Sequence, residues 1–354
     1  MPETQAFVFH SAFLPPFRTY GLLPTSEASP SPRRMPKEIA EAVSANVASF
    51  SAHTTGGRIH FATDAKSICI KAKISGHREA VEVQTAISRA GIDLYTQTPF
   101  GDLAYLTTFG YPTHTDPMAS DEGYEKKLMQ DGVMTDYVLY LPLYSAVYEL
   151  SIGLPQGSRL AAPRYEYRND APIVYYGSSI THGASASRPG LTYEAIISRR
   201  YHLDFVNLGF AGSALAEDAM IDYLASLDEP SVFVCDYDYN APTAEHYAAT
   251  HEKLYQAVRA AHPELPILIV TAPVSSVTKR ADRRRIAMQT YLNAVANGDE
   301  RVFYLDGASM MADDFTEDAL IDYVHPTDLG FRRMAYAIGN AVDDMMRKFR
   351  RYDR

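Results

Sequence analysis

The chain has 354 residues, more than a single domain usually holds, and this length predicts two domains of roughly 150–190 residues each. Hydrophobic residues make up 46% and charged residues 21%, which excludes a disordered chain and implies packed cores. The formal charge of −10, from 43 acidic and 33 basic residues, argues against a role dominated by phosphate-backbone binding and so against a nucleic-acid partner.

Residues up to about 154 read as short strands separated by turn residues, with residues 36–49 as the one candidate amphipathic helix. Arg58 to Ala62, Ser67 to Lys73 and Val81-Glu82-Val83-Gln84 show the two-residue alternation of half-buried strands. Gly56-Gly57, Gly76, Gly91, Gly101 and Gly110 punctuate them, and Tyr137 to Leu141 and Tyr148 to Ile152 close the series. An all-β, jelly-roll-like sandwich over residues 1–160 is expected. Between Leu154 and Ile173 the composition shifts to Pro155, Gly157, Pro163, Arg164 and Pro172 without an apolar period, which marks the domain boundary.

Over residues 170–354 the pattern becomes short apolar strands alternating with helices. Ile173 to Tyr176, Phe205 to Leu208, Val232 to Cys235, Ile267 to Val270 and Val302 to Leu305 are nearly continuous apolar runs, as strands covered on both faces require. Leu254, Tyr255, Val258 and Ala261 form one helical stripe; Met334, Ile338, Ala341, Val342, Met345 and Phe349 form another. The expectation is a flavodoxin-like α/β/α sandwich with a five-stranded parallel sheet, its ligand site at the carboxyl ends of the strands. Arg283-Arg284-Arg285 reads as a solvated helix face.

Cys69 and Cys235 are the two thiols, each inside an apolar run, so buried cysteines in a reducing compartment are expected rather than a disulfide scaffold. No run approaches the ~18 apolar residues of a membrane helix, so no membrane partner is expected. The start of the chain, acidic at Glu3 and broken at Pro15-Pro16, shows no signal-peptide pattern, and cytoplasmic residence is the expectation.

Four segments converge on the carboxyl edge of the parallel sheet. Gly177-Ser178-Ser179-Ile180-Thr181-His182-Gly183 follows the first strand; a serine at a strand-to-helix turn holds its hydroxyl clear of the sheet beside a backbone N–H, although Gly-Ser turns are also common as plain loops. Asn207 to Ser213 follows the second strand, and its Gly209 and Gly212 suit either a structural turn or a backbone N–H facing an anionic oxygen. Asp236 to Pro242 ends the third strand, where Asn240 is either a turn former or an amide donor to an oxyanion. Asp322-Tyr323-Val324-His325-Pro326 precedes the last helix, with a carboxylate placed to orient an imidazole.

In this chain order the four segments resemble the blocks of the SGNH (GDSL-like) hydrolases. The likeness is to the bacterial subgroup whose N-terminal β-sandwich carries a Gly-x-Asp-Leu-Tyr motif, here Gly91-Ile92-Asp93-Leu94-Tyr95. Further similar stretches are His53 to Arg58, Ser185 to Gly190, Thr250-His251 and His325 to Phe331. The resemblance implies Ser179 as nucleophile, Asp322 and His325 as the rest of a catalytic triad, and an oxyanion hole of the Ser179 and Gly212 N–H groups with the Asn240 amide. It implies no metal and no organic cofactor.

Ser178 stands where an aspartate is commoner in the superfamily, and Asp238 where glycine is frequent; Asp238 is expected to point away from the oxyanion hole. His182 stands in place of an expected glutamine and reads as a surface histidine. Ser178, His182 and Arg188 are candidate substrate contacts. The implied activity is that of a serine esterase acting on short acyl esters, foremost O-acetyl groups on carbohydrates, with a small-molecule or oligosaccharide ester as partner; homo-oligomerisation is left open. An acyltransferase with the same triad and an inactive carbohydrate-binding protein are the alternatives. An ordinary α/β-hydrolase fits less well, because Thr181 replaces the final glycine of the Gly-x-Ser-x-Gly elbow.

Overall fold

A computed structural model describes residues 6–25, 31–75, 83–110, 124–127, 132–169, 171–273, 280–311 and 317–352. The chain divides into two compact units, each discontinuous in sequence. The first takes Met1–Arg34, Ala52–Glu166 and Arg188–Gly190; the second takes Met35–Ser51, Tyr167–Ser187 and Leu191–Arg354.

In the first unit, β1 (Phe7–Ser11), β2 (Arg18–Tyr20), β3 (Arg58–Thr63) and β4 (Ser67–Ile74) are followed by β5 (Ile92–Gln97) and β6 (Leu103–Phe109), then by β7 (Tyr124–Lys127), β8 (Thr135–Tyr140), β9 (Val147–Pro155) and β10 (Leu160–Ala161). One antiparallel sheet runs β1-β9-β4-β7; the other runs β10-β3-β8-β5-β6, with β2 added on β3. Ile59 and Phe61 of β3, Leu94 of β5 and Leu139 of β8 share one apolar core with Ile68 and Ile70 of β4 and Leu150, Ile152 and Leu154 of β9. The two sheets thus form a sandwich.

The expected half-burial of Arg58 to Ala62 does not hold, because every residue of β3 is buried. Its second face is covered by aromatic rings: Tyr20 lies 4.6 Å and Tyr165 5.6 Å from the His60 ring. Of the expected strand at 81–84, Val81 and Glu82 lie outside the described residues, as does Gly76, and a helix follows at Ala86–Ala90.

The second unit begins with α1 (Lys37–Val43) and α2 (Ala45–Phe50), so the candidate helix at 36–49 is two helices meeting at Ser44, whose hydroxyl caps the second. Numbering Ala86–Ala90 as α3, the unit continues with β11 (Ile173–Gly177), α4 (Ser179–His182), α5 (Tyr193–Tyr201), β12 (Phe205–Gly209), α6 (Asp218–Ala225), β13 (Val232–Asp236) and α7 (Ala244–Ala261). It closes with β14 (Ile267–Val270), α8 (Ala281–Ala296), β15 (Val302–Leu305), α9 (Gly307–Met310) and α10 (Asp328–Lys348). Five parallel strands in the order β12-β11-β13-β14-β15 reproduce the flavodoxin-like arrangement.

The helices bury the stripes that their period demands. Along α7 the buried set is Tyr247, His251, Leu254 and Val258, with Ala261 left exposed. Along α10 it includes Met334, Ile338, Val342 and Met345. Of the arginine run, Arg285 is exposed as expected, but Arg283 and Arg284 are not solvated. Arg283 donates to the Ala241 carbonyl at 2.7 Å, and Arg284 pairs with Asp306 at the end of β15; their side chains are only 13% and 15% exposed. Cys69 and Cys235 are buried, one in each unit. Among the described residues no helix is long and apolar enough to cross a membrane.

Candidate active site

Parallel register brings three loops to one edge of the sheet. Gly177, the last residue of β11, is paired with Gly209 of β12 on one side and with Asp236 of β13 on the other. The segments beginning at Ser178, Phe210 and Tyr237 therefore leave adjacent strands at the same level, the crevice position where open α/β sheets bind ligands.

Close packing dictates the segment that carries Ser179. A Cβ on Gly177 would lie 2.0 Å from the Thr181 hydroxyl and 2.4 Å from the Asp236 carbonyl, and one on Gly209 would lie 2.3 Å from the His182 backbone nitrogen. Only glycine at both positions lets α4 sit this tightly on β12. Ser178 is buried and caps α4 by accepting the Ile180 N–H at 3.2 Å. Ser179 follows at the first helical position, where its N–H takes no part in the helix's own ladder.

The next two loops are bound to the first and to each other. Phe210 N–H donates to the Gly177 carbonyl at 2.9 Å, and Ala216 N–H to the Tyr176 hydroxyl at 2.9 Å. Gly212 has φ +65° and is exposed. The Asn240 Oδ1 accepts the Ala214 N–H at 3.3 Å, which fixes the amide and turns its NH₂ donor the opposite way. Asp238 is fully buried, and its Oδ2 accepts the Ala272 N–H just past β14 at 3.0 Å. Burial pushes its carboxyl up to about 6, against the opposing influence of that N–H and of Arg280 and Arg283. Burial also pushes Asp236 well above its ordinary value, reinforced by Asp238 and Glu194.

The fourth segment is shaped by hydrogen bonds. A bridge pairs Leu320 with Pro326, Ile321 N–H donates to the His325 carbonyl at 2.9 Å, and Thr327 N–H donates to the Ala319 carbonyl at 2.9 Å. Inside this turn Asp322 Oδ1 accepts the Val324 and His325 N–H groups at 3.1 and 2.7 Å, and Oδ2 lies 2.7 Å from His325 Nδ1. Partial burial pushes the Asp322 carboxyl up, but the hydrogen bonds from His325 and Val324 outweigh it and hold the group below its ordinary value. An ionised carboxylate accepts the Nδ1 proton, leaving Nε2 as the imidazole's acceptor. Nε2 lies 2.8 Å from Ser179 Oγ.

Ser179, His325 and Asp322 thus form one hydrogen-bonded line, and Gly212 and Asn240 lie on neighbouring loops tied together through Ala214. The other three candidates each have partners of their own. Ser178 is a buried cap. His182 is fully buried rather than at the surface: Phe50 meets its ring edge-on at 5.4 Å, and its Nδ1 accepts the Ala211 N–H at 3.4 Å, next to Gly212. Arg188 belongs to the first unit, where Nη1 donates to Asp93 at 2.6 Å and to the Tyr95 hydroxyl at 2.7 Å. Its guanidinium carbon lies 3.8 Å from the centre of the Tyr105 ring.

That arrangement gives the Gly-x-Asp-Leu-Tyr stretch a physical task, since Asp93 also accepts the Gly190 N–H at 2.8 Å. A second polar set escapes sequence reasoning. Asn207 donates to the Thr181 carbonyl and to Glu194 at 3.2 Å, while Thr181 and Asp236 are 3.5 Å apart, and all four residues are buried. Polar residues inside apolar runs were the one available signal.

Residues 170–343 match the GDSL-like lipase/acylhydrolase family, and residues 17–160 match the N-terminus of SGNH-hydrolase-type esterases. No curated protein matches the chain. Among solved structures, it is similar to a Bacteroides ovatus protein assigned as a GDSL-like lipase, with 23% identity, TM-score 0.80 and coverage of 97% of this chain and 98% of that one. It is also similar to the salicylyl-acyltransferase SsfX3 from a tetracycline biosynthetic pathway (20% identity, TM-score 0.75, 94% and 95% covered). A family two carbohydrate esterase from Cellvibrio japonicus shares the fold at 14% identity and TM-score 0.62, with 97% and 99% covered. The chain belongs to the GDSL-like acylhydrolases, as an SGNH-type hydrolase of ester bonds preceded by the N-terminal module of such esterases.

Proposed function

We propose that the protein is a serine esterase that removes short acyl groups, foremost O-acetyl groups, from carbohydrates, with Ser179 as nucleophile. The observation that carries the reading is the line Ser179 Oγ, His325 Nε2, His325 Nδ1, Asp322 Oδ2, with 2.8 and 2.7 Å between the groups. In it, His325 takes the Ser179 proton as Oγ attacks the ester carbonyl. The tetrahedral oxyanion is stabilised by the N–H groups of Ser179 and Gly212 and by the Asn240 amide. His325 then protonates the leaving alcohol, and water releases the acid from the acyl-enzyme. The carbohydrate assignment is supported by the fold shared with family two carbohydrate esterases.

A second reading, acyl transfer to an alcohol or amine acceptor, is supported by the fold shared with a salicylyl-acyltransferase. It uses the same residues and differs only in what attacks the acyl-enzyme. Turnover of acetylated oligosaccharides and of a short-chain aryl ester, measured with and without added acceptors, separates the two. Free acetate as the dominant product supports the esterase; transfer exceeding hydrolysis at millimolar acceptor supports the transferase. In either case Ser179→Ala is expected to lower kcat by roughly 10⁴-fold or more. Unchanged turnover by that variant would discard Ser179 as nucleophile.

A further inference from the structure

Two links join the segment that follows the nucleophile to the segment that carries His325. One is the hydrogen bond from Ser179 Oγ to His325 Nε2. The other lies on the far side of the loop, where the Asp328 carboxylate accepts the Ser187 N–H at 2.9 Å with Oδ1 and the Ser187 hydroxyl at 2.6 Å with Oδ2. Hydrogen bonds to an ionised acceptor are stronger than neutral ones, and two from one residue fix orientation as well as distance.

Both ends of this second link are anchored. Between Ser179 and Ser187 the chain is α4 followed by a run of turns, with Ala184 N–H donating to the Ser179 carbonyl at 2.9 Å and Ala186 N–H to the Gly183 carbonyl at 3.3 Å. Asp328 is the first residue of α10, three residues beyond His325, and that helix is held in place by buried Phe331, Met334 and Ile338. The capping of α10 falls to Thr327, whose hydroxyl accepts the Gly330 N–H. Asp328 is thus not needed as the cap, and its carboxylate is turned to Ser187.

The two links serve different halves of the reaction. In acylation the Ser179 Oγ–C bond forms, the ester C–O bond to the alcohol breaks, and the Ser179 proton passes through His325 to the departing alcohol. In the acyl-enzyme, Oγ is an ester oxygen without a proton, so the first link no longer exists. His325 must nevertheless hold its place: a water O–C bond forms, the water proton goes to Nε2, the Oγ–C bond breaks, and the proton returns to Oγ as the acid leaves.

We propose that Asp328 is a positioning residue for this second half, keeping His325 over the acylated serine by its grip on Ser187. The proposal rests on the triad reading above. A suitable probe is 4-nitrophenyl dimethylcarbamate, which carbamoylates a nucleophilic serine with release of 4-nitrophenolate. Recovery of activity after removal of the reagent then measures attack by water directly.

For Ser187→Ala and Asp328→Asn, carbamoylation is expected to stay within about twofold of the parent rate, while recovery slows about tenfold. Ser187→Thr, which keeps the hydroxyl, should recover like the parent, and the double variant should be no slower than either single one. Equal slowing of both steps would identify a merely structural role and overturn the proposal. So would recovery at the parent rate in both single variants. Carbamoylation of the parent at a residue other than Ser179 would instead discard the triad reading and this inference with it.

Discussion

The Ser179 turn and the His325 turn face each other across 2.8 Å and are built by opposite means. Residues 177–183 are held by steric fit: apart from Ser179 the segment is buried, and Gly177 within it and Gly209 beside it admit backbone where no Cβ fits. Residues 320–328 are held by hydrogen bonds, with Asp322 collecting three of them and Tyr323 70% exposed at φ +64°. A packed turn fixes a position at the cost of tolerating no added atom. A hydrogen-bonded turn at the surface is cheap to lose in stability but decides which ring nitrogen carries the proton.

This contrast separates the effects of substitution at the two turns. Apart from loss of the Ser179 hydroxyl itself, the largest loss of activity should come from the hydrogen-bonded side. Asp322→Asn keeps the shape of the turn but offers Nδ1 the wrong partner, and kcat is expected to fall by roughly 10⁴-fold. Because exposed charge pairs contribute only about 0–1 kcal/mol, its thermal midpoint should move little. A large loss of stability in this variant would show that the histidine turn is packed after all.

On the packed side, Gly209→Ala forces a methyl against the His182 backbone and should destabilise the second unit by about 1–3 kcal/mol or more. A lowered midpoint in thermal unfolding checks this. An unchanged midpoint would mean that the turn has slack.

The smallest effect sharpens the contrast through pH. The Asp238 carboxyl has its pKa raised from 3.8 to about 6, so the folded chain binds its proton more tightly than the unfolded chain does. The cost of ionising it is absent below about pH 4, grows as pH rises through 4 to 6, and is fully present above. Asp238→Asn, which keeps an acceptor for the Ala272 N–H, should therefore gain on the order of 1–3 kcal/mol at pH 8 and little at pH 4. Equal gains at both pH values would contradict a buried carboxylate.

The comparison also explains what the sequence made legible. Parallel strands covered on both faces leave continuous apolar runs, and the five runs from Ile173 to Leu305 correspond to β11 to β15. Ser179, Asp322 and His325 were legible because they sit in short segments whose order matches known blocks. Burial of polar residues was not. His60, His182, Arg283 and Arg284 look like solvent-facing side chains when read alone, and only rings or acceptors distant in sequence cover them. The chain path was equally hidden: nothing local at Arg188–Gly190 says that these three residues join Asp93 and Tyr95 in the first unit while their neighbours belong to the second.

The most direct test is to treat the folded protein with a fluorophosphonate and locate the adduct by peptide mass. The geometry predicts a single adduct on Ser179 in the parent, formed far more slowly in His325→Ala. Ester hydrolysis that persists with Ser179 unmodified, or an adduct on another residue, would contradict it.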